Sequence, residues 1–278
     1  MILFIEALYK EAAPLIQALS LKRDPACTAF QRFAGEDVVL YLSGTGESAA
    51  ACCAGFALGR EENVSHLVNL GAAAGPAGTK GMLFRILSLE DLGSGKRYYP
   101  DLLLAADLPE AALVTSPRPV GREEVRSANG NAPRPVLFDM EGAALFAAAG
   151  RFLGPEKIHI FKFVSDDGTA GALTPALLSS LAEEAAPKVL SFIRNLPEER
   201  AETAPPVSEE ELEETAALFC CSAAMRRRLY QILLWCQLSG ADAAGEIAKR
   251  KEAGELPAKD RREGKKVLDA VERSLIGG

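Results

Sequence analysis

The sequence predicts an α/β domain, a mixed central sheet flanked by helices, followed by a C-terminal all-α extension. Three observations carry this. Apolar runs of strand length alternate with Ala- and Leu-rich helical patterns through the first two-thirds of the chain. Several of those runs are continuously apolar rather than alternating, which implies that both faces of the sheet are covered. Past an acidic, proline-bearing stretch the pattern is helical to the end.

Strands are expected over residues 2–6, 38–42, 66–70, 83–89, 112–115, 134–138 and 158–164. Helices are expected over 8–19, 47–60, 141–151 and 175–194. The opening MILFIEALYKE has neither a basic start nor a small-residue cleavage site, and Glu6 interrupts its apolar run, so it is read as the first strand. The α/β domain is assigned to 1–196. Residues 197–214 carry Pro197, Pro205 and Pro206 among many glutamates and are read as an acidic linker. The helical extension takes 215–278. Ser208 with Glu211 makes a capping box ahead of it, and Leu229, Ile232, Leu233 and Cys236 share one buried helix face.

With 278 residues, 48% hydrophobic and 25% charged, the chain has the composition of a globular protein with a full core. A net charge of -7, from 31 basic and 38 acidic residues, argues against nucleic acid or an anionic membrane surface as the main partner. The one basic run, Arg226-Arg227-Arg228, is read as a solvated helix face. No apolar run approaches the ~20 residues that span a bilayer. The six cysteines include no C-x-x-C pair and the chain has two histidines, so neither a metal site nor a disulfide framework is expected. The thiols suit a reducing cytoplasm, and His66 and His159, inside strand runs, are read as core residues.

Ligands of open α/β sheets bind beyond the carboxyl ends of the strands. Three strand ends there are acidic: Glu6 with Glu11 one helical turn on, Asp139-Met140-Glu141, and Ser165-Asp166-Asp167. Carboxylates gathered at one cleft, with no metal-binding histidine set and no basic counter-patch, suit a polyol such as ribose, whose hydroxyls donate to them. Alternation along an extended chain points Asp166 and Asp167 to opposite sides, so at most one of the two faces the cleft. Ser43-Gly44-Thr45-Gly46-Glu47 and Asn69-Leu70-Gly71-Ala72-Ala73-Ala74-Gly75 are read as small-residue turns after strands.

Four segments, ALYKEAAPL, LSGTGESAAA, VNLGAAAG with GMLFRI, and FDMEGAA with FKFVSDDG, resemble the nucleoside phosphorylase superfamily, most closely its methylthioadenosine/S-adenosylhomocysteine nucleosidase branch. The resemblance spans about residues 1–196 and implies cleavage of the N-ribosidic bond of a purine nucleoside or thionucleoside, without a cofactor. It implies that Met140 and Glu141 hold the sugar, that Asp166 is the acid at the purine, and that Glu11 activates water. Ser165, Ala72 and Gly44 are the further substrate-contact positions. Ala72 stands where the family usually has Ser or Thr, and Asp139 replaces the more usual Glu. Residues 91–101 are shorter than the corresponding family region. Arg85, mid-strand, is the one conceivable phosphate ligand, so water is favoured as acceptor over phosphate. A phosphate-dependent phosphorylase and a non-catalytic nucleoside-binding protein are the alternatives. The family also implies a homodimer or larger assembly.

Overall fold

The computed structural model describes residues 1–169, 171, 173–196 and 207–276. The chain divides into two compact units, Met1–Pro197 and Glu198–Gly278.

The first unit alternates strand and helix: β1 (Ile2–Glu6), α1 (Tyr9–Ala18), β2 (Lys22–Asp24), β3 (Gln31–Ala34), β4 (Val38–Leu42), α2 (Glu47–Arg60), β5 (His66–Ala74), β6 (Leu83–Asp91), β7 (Arg97–Tyr98), β8 (Glu110–Thr115), α3 (Arg122–Asn129), β9 (Val136–Asp139), α4 (Gly142–Ala149), β10 (Ile158–Asp166) and α5 (Pro175–Arg194). All ten strands form one mixed sheet in the order β10-β6-β8-β9-β5-β1-β4-β3-β2, with β7 on β6. A further parallel pairing of β10 with β5 closes β5, β10, β6, β8 and β9 into a ring.

The apolar strands are buried on both sides. One face packs Leu3, Ile5, Leu67, Ile160 and Val164 with Ala50, Cys53, Ala54 and Ala57 of α2 and Ala143, Leu145 and Phe146 of α4. The other packs Phe4, Val68, Leu70, Phe161 and Phe163 with Ala12 and Leu15 of α1 and with Leu178, Leu181, Val189 and Phe192 of α5. Alanines dominate α2 because a small side chain lets the helix lie close to the sheet without losing helix propensity. Thr174 caps α5 by accepting from Leu177 N, and Pro175 occupies the first turn, where no amide is required.

Several expectations are corrected. Residues 69–75 are not a turn: β5 runs on through Ala74, because Gly71 and the alanines are small enough to thread between β10 and the helices. The short edge strands β2, β3 and β7 and the polar helix α3 carry too few apolar residues to be legible as a pattern. His66 and His159 do sit in the core, the Nδ1 of one 3.1 Å from the Nε2 of the other, and burial with a neighbouring imidazole lowers His159 to about 3. All six cysteines are free thiols; Cys27, Cys53 and Cys236 are buried, whereas Cys52 is exposed.

The second unit contains α6 (Glu209–Leu218), α7 (Ala223–Ser239), α8 (Ala243–Glu252) and α9 (Arg261–Ile276). Of the stretch read as linker, 197–206 lies outside the described residues, and α6 begins within the remainder. Ser208 caps α6 by accepting from Glu211 N, Ser222 caps α7, and Gly240 ends α7 in the left-handed conformation, φ +76°. Leu229, Ile232, Leu233 and Cys236 are buried against Val207, Leu212, Phe219, Leu268 and Val271, while Trp235 stays 39% exposed. The Arg226-Arg227-Arg228 run is not simply solvated. Only Arg227 is exposed; Arg226 pairs with Glu209 and Glu213, and Arg228 with Asp269 and Glu272, because α7 carries these arginines to the acidic faces of α6 and α9. A Cβ at Gly264 would fall 1.7 Å from the Phe219 carbonyl oxygen, so glycine sets the approach of α9. No helix among the described residues is long and apolar enough to cross a membrane.

Candidate active site

Strand register brings the acidic strand ends together. At the seam of the ring Asp166, the last residue of β10, pairs with Ala74, the last of β5, and Ala74 pairs with Phe138 beside Asp139. Thr115, ending β8, pairs with Asp139. A hollow of about 230 Å³ opens over these ends. Glu11, Ala72, Met140, Glu141, Ser165 and Asp166 all line it. Of the acidic strand ends, Glu6 is fully buried and does not; nor, of the substrate-contact positions, does Gly44. It is exposed at φ +83°, where it turns the chain so that Thr45 reaches the wall instead. Asp167 also points elsewhere, to Arg122 Nε at 2.9 Å, which leaves Asp166 as the member of that pair in the hollow.

The carboxylates are held by backbone amides. β1 pairs with β5 only at Ile2, Leu3 and Phe4, opposite His66, Leu67 and Val68, and beyond that the two strands separate. Residues two apart in a strand direct their amides to the same side. The next two amides of β5 on that side therefore lack strand partners, and acidic side chains take their place. Glu6 accepts from Leu70 N at 3.0 and 3.1 Å, and Glu11 Oε1 accepts from Ala72 N at 2.8 Å. The other Glu11 oxygen accepts from Leu8 N at 3.0 Å, closing the first turn of its own helix. Glu141 accepts from Gly46 N at 2.6 Å and from Met140 N at 3.3 Å. Asp166 accepts from Ser165 Oγ at 2.7 Å and from Gly168 N at 2.8 Å.

Lys162 is the residue that sequence reasoning missed. It lies mid-strand in β10, 1% exposed, opposite Gly71, where a Cβ would approach its Nζ to 2.9 Å. Its ammonium donates to Asp139 Oδ2 at 2.9 Å. Thr115 Oγ1 and Gly142 N also donate to Asp139, so that carboxylate is fully engaged in the floor. The available signal was a lone lysine in the apolar run IHIFKFV, a position that demands a buried partner.

Burial raises Glu11 and Glu141 above the ordinary carboxylate range; Lys162 opposes the shift in both, with the Ala72 and Leu8 amides acting alongside it on Glu11. Burial alone would lower Lys162, but Asp139, Glu141 and Glu11 outweigh it and raise the ammonium above its usual value. The remaining wall is mostly apolar, including Leu8, Ala73, Val120, Phe138 and Leu178, which suits a flat base or an alkyl substituent beside a polar sugar. Arg85 is not part of it. Its guanidinium is buried behind the sheet, donating to the Leu104 carbonyl and lying 5.1 Å over the Phe192 ring.

Comparison with solved structures decides the fold. The 5′-methylthioadenosine/S-adenosylhomocysteine nucleosidase of Streptococcus pneumoniae, solved with a transition-state inhibitor, matches with TM-score 0.59 at 20% identity over 70% of this chain and 99% of its own. This chain has the nucleosidase fold. The S-adenosylhomocysteine nucleosidase of Streptococcus pyogenes matches with TM-score 0.59 at 18% identity, covering 71% of this chain and 97% of that one. The nucleosidase of Colwellia psychrerythraea, solved with adenine, matches with TM-score 0.58 at 21% identity, covering 70% and 95%. No family model and no curated protein sequence matches the chain.

Proposed function

We propose that the protein hydrolyses the N-ribosidic bond of a purine nucleoside or thionucleoside. The observation that carries this reading is the convergence of Glu11, Met140-Glu141 and Ser165-Asp166 on one sugar-sized hollow, in a fold shared with nucleosidases. Cleavage builds positive charge on the ribose ring and negative charge on the departing base. Asp166, oriented by Ser165 and Gly168, delivers a proton to the base nitrogen N7. Glu141 accepts from ribose hydroxyls and fixes the ring, with Met140 against it. Glu11 orients water on the opposite side and takes its proton.

Water is favoured over phosphate by the state of the amides. The amides of Leu70, Ala72 and Gly46, which could cradle an anion, already serve carboxylates of the chain itself. Arg118 is the one cation lining the hollow among the described residues, and it is paired with Glu124 at 2.8 Å. A dianion brought here would meet Glu11 and Glu141 without a free donor set. We further propose a cytoplasmic location and a homo-oligomer, the oligomeric state being one that light scattering reads directly.

The test is incubation with adenosine, inosine and methylthioadenosine, with and without phosphate, following free base by chromatography. Base release without phosphate is expected. Strict phosphate dependence overturns the choice of water, and calorimetric binding with no release from any nucleoside overturns catalysis. Glu11→Gln and Asp166→Asn should each lower kcat by about 100- to 10,000-fold.

A further inference from the structure

Glu6 is a buried acid that the proposed reaction does not use. Its side chain is fully buried at the end of β1. Around it stand Glu11 from α1, Lys162 from β10 and the Leu70 amide from β5, and Lys162 also serves Asp139 at the end of β9 and Glu141 ahead of α4. Four carboxyl groups thus share one ammonium; Glu6, Glu11, Asp139 and Lys162 are buried, and Glu141 is half-buried at the hollow. Buried like charges cannot all ionise, so the cluster retains a proton. Geometry selects its holder. Among the described residues one amide, Leu70 N, donates to Glu6, and both carboxyl oxygens divide that single hydrogen. Glu11 has two separate amides and borders the hollow. Asp139 has a hydroxyl, an amide and the ammonium.

We propose that Glu6 is a positioning residue that keeps a proton on the floor of the site, leaving Lys162 to Asp139, Glu141 and Glu11 and leaving Glu11 as the ionised base. Burial first, and the Glu11 charge second, push the Glu6 carboxyl well above the ordinary carboxylate range, in agreement with the geometry. When Glu6 does ionise as pH rises, a second negative charge appears behind Glu11 and competes for Lys162. Turnover then falls. This consequence rests on the reading of Glu11 as base; the protonation state itself does not.

The experiment reads protons before activity. In the wild-type protein, infrared spectra at pH 7 should contain a neutral carboxylic acid C=O band that persists far above the range of free glutamate. ¹³C NMR of the glutamate carboxyls should show one late titration, absent in Glu6→Gln. In Glu11→Gln that late midpoint should move down, because a like charge has been removed. In activity, kcat/KM should fall above the Glu6 midpoint in the wild type, and Glu6→Gln should lose the part of the fall that follows that midpoint, since a carboxamide fills the same gap between β1 and β5 without a proton to lose. Absence of any neutral acid at pH 7, or a Glu6 midpoint indifferent to Glu11→Gln, overturns the proposal. A fall with rising pH that is unchanged in Glu6→Gln overturns its catalytic part. If no nucleoside is cleaved while the spectroscopic results hold, the proposed hydrolysis fails and the proton on Glu6 stands.

Discussion

The two units use the same residue types to opposite ends. In the helical unit, Arg228 meets Asp269 and Glu272, and Arg226 meets Glu209 and Glu213, in pairs that retain partial contact with water. Beneath the hollow of the α/β unit, Lys162 and Asp139 are almost wholly out of water, their side chains 2% and 0% exposed. A half-exposed pair gains little, because water already solvates both charges. A buried pair has given up its hydration and depends on its partner, so removing one member strands the other. Burial, more than the pairing itself, sets what each contact is worth.

The largest effect that would break this comparison is at Lys162. Lys162→Met leaves Asp139 with its hydroxyl and amide but without a counter-charge, beside Glu6, Glu11 and Glu141. Urea unfolding should show a loss of about 3–5 kcal/mol; a loss under 1 kcal/mol would mean that the floor is wetter than its burial implies. Next is the pH dependence of stability. The folded protein holds the Glu6 proton that the unfolded chain releases, so stability is full below the unfolded value and declines as pH rises toward the folded one. Glu6 alone accounts for a slope of about 1.4 kcal/mol per pH unit in that window, and Glu6→Gln should remove its share in denaturation at successive pH values. The smallest effect lies in the helical unit. Arg228→Ala should cost about 0–1 kcal/mol, shrinking further in high salt; a loss as large as that at Lys162 would erase the distinction between the two units.

Much of the site was legible because its residues occupy strand ends, where the apolar run stops and an acid follows. Glu141 and Asp166 carry that signature and Glu11 follows it by one helical turn; their convergence follows from the parallel pairing of β5 with β1 and with β10. Lys162 lacks it, since it sits inside a run that scores as a buried strand. Residues 69–75 were misread for the related reason that glycine and alanine mark turns in isolation but here let a central strand pass. Gly44 shows the converse: a glycine-rich turn does border the site, yet the residue that touches it is Thr45.

By itself, then, the order of apolar runs determined two-layer cover of a sheet, the alternation of strand and helix, and a separate helical segment, because burial of apolar side chains follows a period that can be read locally. Tertiary structure alone decided that β10 closes onto β5, that β1 parts from β5 past Val68, and that Glu6 and Glu11 fill the opening. Those outcomes depend on register and on where charges find partners, and an electrostatic balance among groups from five different elements has no pattern along the chain.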